Sequence, residues 1–323
     1  RERGLEYLKE HAAQMLKSTG HEEISLSSLS SSDYTQLEEL IRFLIEEFKG
    51  KGVNISLPSL RIDAFSLDVM SKVQDIKKSS LTFAPEAGSQ RLRDAINKNV
   101  TEEDLLNSCR TAFAGGWSGV KLYFMLGLPT ETDEDVLGIA DLANKVYHVW
   151  RNNTPNRSRG VRITVSTSCF VPKSHTPFQW EAQNTREEYL RKVTLLRENL
   201  RNKSITYNWH DPETSFLEAA LSRGDRRVAD VIEQAWRHGA KFDSWSEYFS
   251  LQTWLDAFAA CGLSPAFYAN RIRDKEEILP WQTISDGVKE SYLWKERETA
   301  YAGQITPDCR VKCSGCGANR LCE

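Results

Sequence analysis

The chain has 323 residues, enough for about two domains of ordinary size and for a well-buried core. Lys and Arg number 42 against 45 Asp and Glu, a formal net charge of −3 with a pI near 6.2, and the two signs are interspersed, which argues against a basic nucleic-acid footprint. No window holds the ~18 consecutive apolar residues of a membrane span, and the start lacks the apolar core and cleavage site of a signal peptide, so a cytoplasmic protein is expected.

A helix is predicted over 5–17, where Leu5, Leu8, Ala12, Met15 and Leu16 recur at three-to-four spacing. An alternating strand follows near 24–28, then a helix carrying Leu37, Leu40, Ile41, Leu44, Ile45 and Phe48 that stops at Gly50 and Gly52. The alternation continues with a strand at 53–57, a helix at 66–76, a strand at 80–84, helices at 89–96 and 102–114, a strand at 119–125, a helix at 132–150 and a strand at 161–168. Such regular alternation implies parallel strands joined by crossover helices. With no glycine-rich dinucleotide turn after any strand, it fits part of a (β/α) barrel better than a doubly wound sheet. Beyond Trp180 the pattern turns helical, over 185–202, 212–221, 225–238 and 246–260, with one brief extended stretch near Ile205 to Trp209. The aromatic stripe of Trp236, Trp245, Tyr248, Phe249 and Trp254 is expected to be core. Three regions result: a partial barrel over 1–183, a mostly helical region over 184–300 and a Cys-rich tail over 301–323.

Cys109, Cys169 and Cys261 lie singly in apolar surroundings and read as small core hydrophobes. Cys309, Cys313, Cys316 and Cys322 instead crowd the tail, where Gly315 and Gly317 suit tight turning and four thiolates could surround one centre. Soft thiolates select an iron-sulfur cluster or zinc.

Chemistry in parallel barrels sits in the loops at the carboxyl ends of strands. The hydroxyl run from Ser27 to Ser32 suits either an amino-acid ligand or ordinary helix capping; Arg61 and Asp63 suit either the barrel mouth or a surface salt bridge. Glu86 puts a carboxylate at a strand end, and Gly88-Ser89 opens a helix whose free N–H groups can hold an anion. The apolar strand ending in Gly127-Leu128-Pro129 offers flat packing to a ring, or is a plain turn. His175 and His210 lie in polar turns, and Arg223, Asp225, Arg226 and Arg227 form a dense charged turn that either docks the helical region or closes over an anionic substrate.

Several segments together resemble one family. They are Ile24-Ser25-Leu26-Ser27-Ser28-Leu29-Ser30, Ser56-Leu57-Pro58-Ser59-Leu60-Arg61, Pro85-Glu86-Ala87-Gly88-Ser89-Gln90-Arg91 and Phe124-Met125-Leu126-Gly127-Leu128-Pro129-Thr130-Glu131, with Phe170-Val171-Pro172-Lys173 and Ser222-Arg223-Gly224-Asp225 beyond. The family is the radical S-adenosylmethionine (radical SAM) superfamily, and the resemblance is greatest to its cobalamin-associated branch of uncharacterised enzymes. It implies an α/β fold, a partial six-stranded TIM-like (β/α) barrel, that binds a [4Fe-4S] cluster and S-adenosylmethionine and generates a 5′-deoxyadenosyl radical for an unknown substrate, small molecule or other, with an electron donor as partner. By position in the motifs, Ser27, Ser28 and Glu86 would face the methionyl ammonium, Ser89 and Lys98 would lie near its carboxylate or the ribose, and Gly127 would flank adenine. Lys98 stands where related enzymes often carry Arg, so a point charge replaces a bidentate fork.

The superfamily's defining Cys-x3-Cys-x2-Cys loop follows the first barrel strand. The chain is therefore expected to be a fragment lacking that loop and the upstream cobalamin-binding domain, and to be inactive alone. Cys309, Cys313 and Cys316 repeat the spacing but follow the barrel, and Cys322 would fill the iron site that must stay open, so the four are expected to hold an auxiliary cluster. The competing readings are a non-catalytic, partner-binding scaffold with a structural zinc tail, and an electron-transfer subunit, which would leave the strand-end loops without a ligand.

Overall fold

The computed structural model describes residues 2–26, 34–56, 81–155, 157–309 and 311–318. Helix α1 (Leu5–Thr19) buries Leu5, Ala12 and Leu16 along one face and ends at Gly20, whose φ of 68° lets its N–H return to the Leu16 carbonyl at 3.0 Å. Helix α2 (Leu37–Phe48) turns Leu40, Ile41, Leu44 and Phe48 inward. These faces meet over a parallel pair, β1 (Glu23–Ser25) and β2 (Asn54–Ser56), with Ile24 opposite Ile55.

The larger sheet has four parallel strands, β3 (Leu81–Glu86), β4 (Gly119–Leu126), β5 (Arg162–Cys169) and β6 (Ile205–Trp209), in that spatial order. Spatial order follows chain order without reversal. A doubly wound sheet reverses at its switch point, whereas a barrel segment does not, so the α/β fold expected from the alternation is present in its singly wound form. The crossovers are α3 (Gln90–Ala95) with α4 (Glu102–Ala114), then α5 (Asp133–Asn153), then α6 (Arg186–Asn199). The extended stretch assigned to the helical region is β6, and the sheet therefore continues past residue 183.

The core lies between the sheet and these helices. Val120, Leu122, Phe124 and Leu126 of β4 and Ile163, Val165 and Cys169 of β5 pack on Leu105, Cys109, Phe113, Val136, Ile139 and Val146. Side chains alternate along a strand, so the opposite face carries Lys121, Tyr123 and Met125, all half-buried, with Thr164, Ser166 and Ser168 beside them. One face is apolar and sealed; the other is polar and more open.

After β6 the chain is helical, with α7 (Pro212–Ser222), α8 (Val228–Arg237), α9 (Leu251–Ala260), α10 (Pro265–Ala269) and α11 (Glu290–Tyr301). Their core joins Leu217, Val228, Val231, Trp254, Phe258 and Tyr268. The aromatic stripe expected in this core divides: Trp254 is buried and Phe249 packs against it, but Trp236, Trp245 and Tyr248 are exposed. Trp236 lies on α8, but Trp245, Tyr248 and Phe249 lie in the turns between α8 and α9, because the helix expected from residue 246 begins only at Leu251, so the spacing does not define one helical face. Among the described residues no helix is long and apolar enough to cross a membrane.

Candidate functional site at the carboxyl ends of the strands

The end of β3 shows how local sequence aims a side chain. Phe83 pairs with Leu122 and Glu86 with Phe124, so β3 uses one more residue than β4 over this stretch. Pro85 has no N–H to give a ladder, which favours such a bulge. Glu86 takes a left-handed φ of 68°, and its carboxylate accepts a hydrogen bond from Lys98 Nζ at 3.1 Å. Both side chains remain accessible, at 25% for Glu86 and 31% for Lys98.

Ser89 has a structural post. Its hydroxyl accepts the Leu92 N–H at 3.1 Å, capping α3, and donates to Asp135. Asp135 also accepts the Thr132 N–H at 2.8 Å, completing the capping box of α5, and is bound by Arg91. Burial pushes the Asp135 carboxyl upward, but the bonds from Ser89, the Thr132 N–H and Arg91 outweigh it and leave it below the ordinary value. The loop after β3 is thus fastened to the start of α5. Gly88 permits the approach, because a Cβ there would run into the Asp135 carbonyl and the Ile139 amide.

Behind the end of β4 lies a second ionic group. Gly127, at φ 90°, donates its N–H to Glu131 Oε1 at 2.9 Å, and a Cβ on Gly127 would come within 2.8 Å of Asn184 Oδ1. Lys192 of α6 donates to Glu131 at 2.7 Å and to Asn184 Oδ1 at 2.9 Å. The two ionic side chains are only 7% and 2% exposed. Burial holds the Glu131 carboxyl above the usual carboxylate range, against the opposing pull of Lys192 and the Gly127 and Leu128 N–H groups. Nearby Cys169 is inert for the same reason: burial pushes its thiol up to about 12.

Among the other expected site residues, Ser27, Ser28, Arg61, Asp63 and Cys322 lie outside the described residues. His175 sits 3.9 Å from Asp286, and His210 is exposed. The charged turn separates, with Arg227 pairing to Asp225 at 2.6 Å on the surface while Arg223 turns into the interior. In the tail, Cys309 and Cys313 are exposed and Cys316 is half-buried. Among the described residues no three His, Cys, Asp or Glu side chains converge in metal-holding geometry. The tail is nevertheless fixed in place: the Lys289 N–H donates to the Cys316 carbonyl at 2.8 Å, and the Thr306 N–H to Asn97 Oδ1 at 3.2 Å. Asn97 adjoins Lys98 in the chain, so the stretch leading into the Cys-rich segment is tethered at the residue before Lys98. An open cavity of about 350 Å³, lined in part by Lys295, Thr299, Lys312 and Cys313, lies along it.

Motif reading did not single out Lys192, Asn184 or Asp135. For Asp135 a signal existed, the Thr132-x-x-Asp135 capping box. For Lys192, on a charged helix, none did.

Parallel strands in sequential order, with ionic side chains gathered in the loops at their carboxyl ends, define an α/β domain of the barrel kind. Residues 1–143 match the model of the Radical SAM superfamily, so the chain carries a domain of the radical SAM type of enzyme. An uncharacterised protein of Methanocaldococcus jannaschii is 32% identical over 229 residues, 71% of this chain and 47% of that relative; the chain spans about half the relative's length. Among solved structures, an Elp3 of Methanocaldococcus infernus with an N-terminal deletion aligns over 65% of this chain and 56% of that one, at 10% identity and a TM-score of 0.41. The arginine decarboxylase of Paramecium bursaria Chlorella virus aligns over 64% and 62%, at 8% identity and a TM-score of 0.28.

Proposed function

We propose that this chain supplies the S-adenosylmethionine-binding rim of a radical SAM enzyme, together with a Cys-rich tail that holds an auxiliary [4Fe-4S] cluster beside that rim. The carrying observation is the Glu86–Lys98 pair. S-adenosylmethionine carries an ammonium and a carboxylate on one carbon, and the pair offers one partner to each. An accessible ion pair contributes only ~0–1 kcal/mol, so exchanging an internal partner for a ligand charge is nearly neutral. The sealed Glu131–Lys192 pair fixes the Gly127 turn, which on this reading flanks adenine, while the half-buried Lys121, Tyr123 and Met125 face the substrate. When bound, the catalytic cluster supplies the electron that cleaves the sulfonium into methionine and a 5′-deoxyadenosyl radical. The roles assigned to this chain are to bind, orient and shield, and a cobalamin cofactor belongs to the reading only for the longer protein.

Equilibrium dialysis of the 323-residue chain with labelled S-adenosylmethionine tests the rim. Loss of one charge-assisted contact is worth ~1.5–3 kcal/mol, so Glu86→Gln and Lys98→Met should each weaken binding by ~10–100-fold. Absence of binding to the parent chain, or unaltered binding by both variants, overturns the assignment.

Anaerobic reconstitution with iron and sulfide tests the tail. About four irons per chain are expected, lost in the Cys313→Ser, Cys316→Ser double variant. Zinc retained in place of iron would make the tail a structural knot and favour the scaffold reading.

A further inference from the structure

Arg223, just past the end of α7, and Arg273, in the segment after α10, are 0% and 2% exposed. Arg223 Nη1 donates to the Ala269 carbonyl at 3.3 Å, and Arg273 Nη2 donates to the Arg223 carbonyl at 2.9 Å. Four further donors, Nε and Nη2 of Arg223 and Nε and Nη1 of Arg273, are buried with no hydrogen-bond partner among the described residues.

The nearby anions are already engaged. Glu277 accepts two bonds from Arg271, at 2.6 and 2.5 Å, and stands 3.7 Å from Arg273 Nε. Asp225 is held by Arg227, and Glu181 by Arg297 at 2.5 Å and Tyr301 at 2.8 Å. Glu277 is shared between the buried Arg273 and the partly exposed Arg271, and Arg223 is paired with no carboxylate among the described residues, so positive charge is in excess inside the helical region. Burial, then the charge of Arg273, bring Arg223 down only to about 9; burial, then Arg271, bring Arg273 to about 10. Both stay cationic at neutral pH. Ordered water can satisfy an orphaned N–H but supplies no charge, and an uncompensated buried charge is among the costliest features a core can hold.

We propose that Arg223 and Arg273 form a binding site for one small oxyanion, held between their two guanidinium forks. Planar forks match paired oxygens, and the near-complete burial of both side chains limits the ligand to the size of phosphate, sulfate or a simple carboxylate.

The test follows the melting temperature of the 323-residue chain as phosphate, sulfate or acetate replaces chloride at constant ionic strength. A bound oxyanion gives a rise that begins at a definite concentration, about 2 °C for each tenfold increase beyond it, and Arg273→Met abolishes that response. Response to phosphate and sulfate identifies an inorganic ion; response to acetate alone identifies a carboxylate. No rise, or the same rise in Arg273→Met as in the parent, is general exclusion of salt from the surface and overturns the proposal. Should the variant fail to fold, equilibrium dialysis of the parent chain against labelled phosphate, sulfate and acetate decides. About one ion per chain, resistant to excess chloride, supports the site; none bound overturns it.

Discussion

Two lysine–carboxylate pairs stand at the same end of the sheet, and their contrast separates scaffold from site. Behind β4, Glu131 and Lys192 meet at 2.7 Å, sealed from water and sharing further bonds with the Gly127 amide and Asn184. At the end of β3, Glu86 and Lys98 meet at 3.1 Å in partial contact with solvent. The chemistry is identical, so what differs is the consequence of losing a partner. In the sealed pair a lone charge would be left without water; in the open pair water or a ligand replaces it at once. Ionic groups therefore read as ligand-binding only after their exposure is known.

Lys192→Met breaks the comparison at its strongest point. Removing one member of a buried pair strands the other, and a loss of ~3–5 kcal/mol in unfolding free energy by urea denaturation is expected. Adding Glu131→Leu should restore much of it, since no buried charge then remains. A single variant within about 1 kcal/mol of the parent would mean that water reaches Glu131 and that the two pairs are alike.

Asp135 comes next, as the link between the β3 loop and α5. Its folded-state pKa is depressed below the unfolded value of ~3.9, so the ionised group contributes stability that is fully present above that value. The contribution is lost as pH falls from ~4 through the folded value. Asp135→Asn should cost about 1–3 kcal/mol at pH 7 and flatten the fall in stability below pH 4. An acid limb of unchanged slope in the variant would assign acid unfolding to other carboxylates.

The fold was far more legible in the sequence than the site. Strands are short, alternating and separated by capped helices, so β3, β4 and β5 follow from local pattern. By contrast β6 is five residues long, and its membership rests on pairing with β5, which is not a local property. Glu86 and Gly127 were legible because each ends a strand. Lys192 was not, because a lysine on a charged helix reads as solvated until Glu131, distant in sequence, is folded onto it. Arg223 was legible as a charge but not as a buried one, since the turn sends Arg227 outward and Arg223 inward over four residues. The aromatic stripe failed in the opposite sense: Trp236 lies on α8 and Trp245 in the turns before α9, so their spacing spans two elements and both stay exposed.

The smallest stability effect belongs to the open pair, and it sharpens the contrast most. Glu86→Gln keeps the shape of the side chain and removes one charge from a pair still reached by solvent. Unfolding free energy should move by less than about 1 kcal/mol, while affinity for S-adenosylmethionine falls by the factor expected above. The two measurements respond to different states: denaturation compares folded with unfolded chain, whereas dialysis compares free with bound. A scaffold residue moves the first, and a ligand-binding residue moves the second. If Glu86→Gln lowers stability by several kcal/mol, the left-handed turn at the end of β3 depends on the ion pair, and Glu86 joins Glu131 on the side of the scaffold.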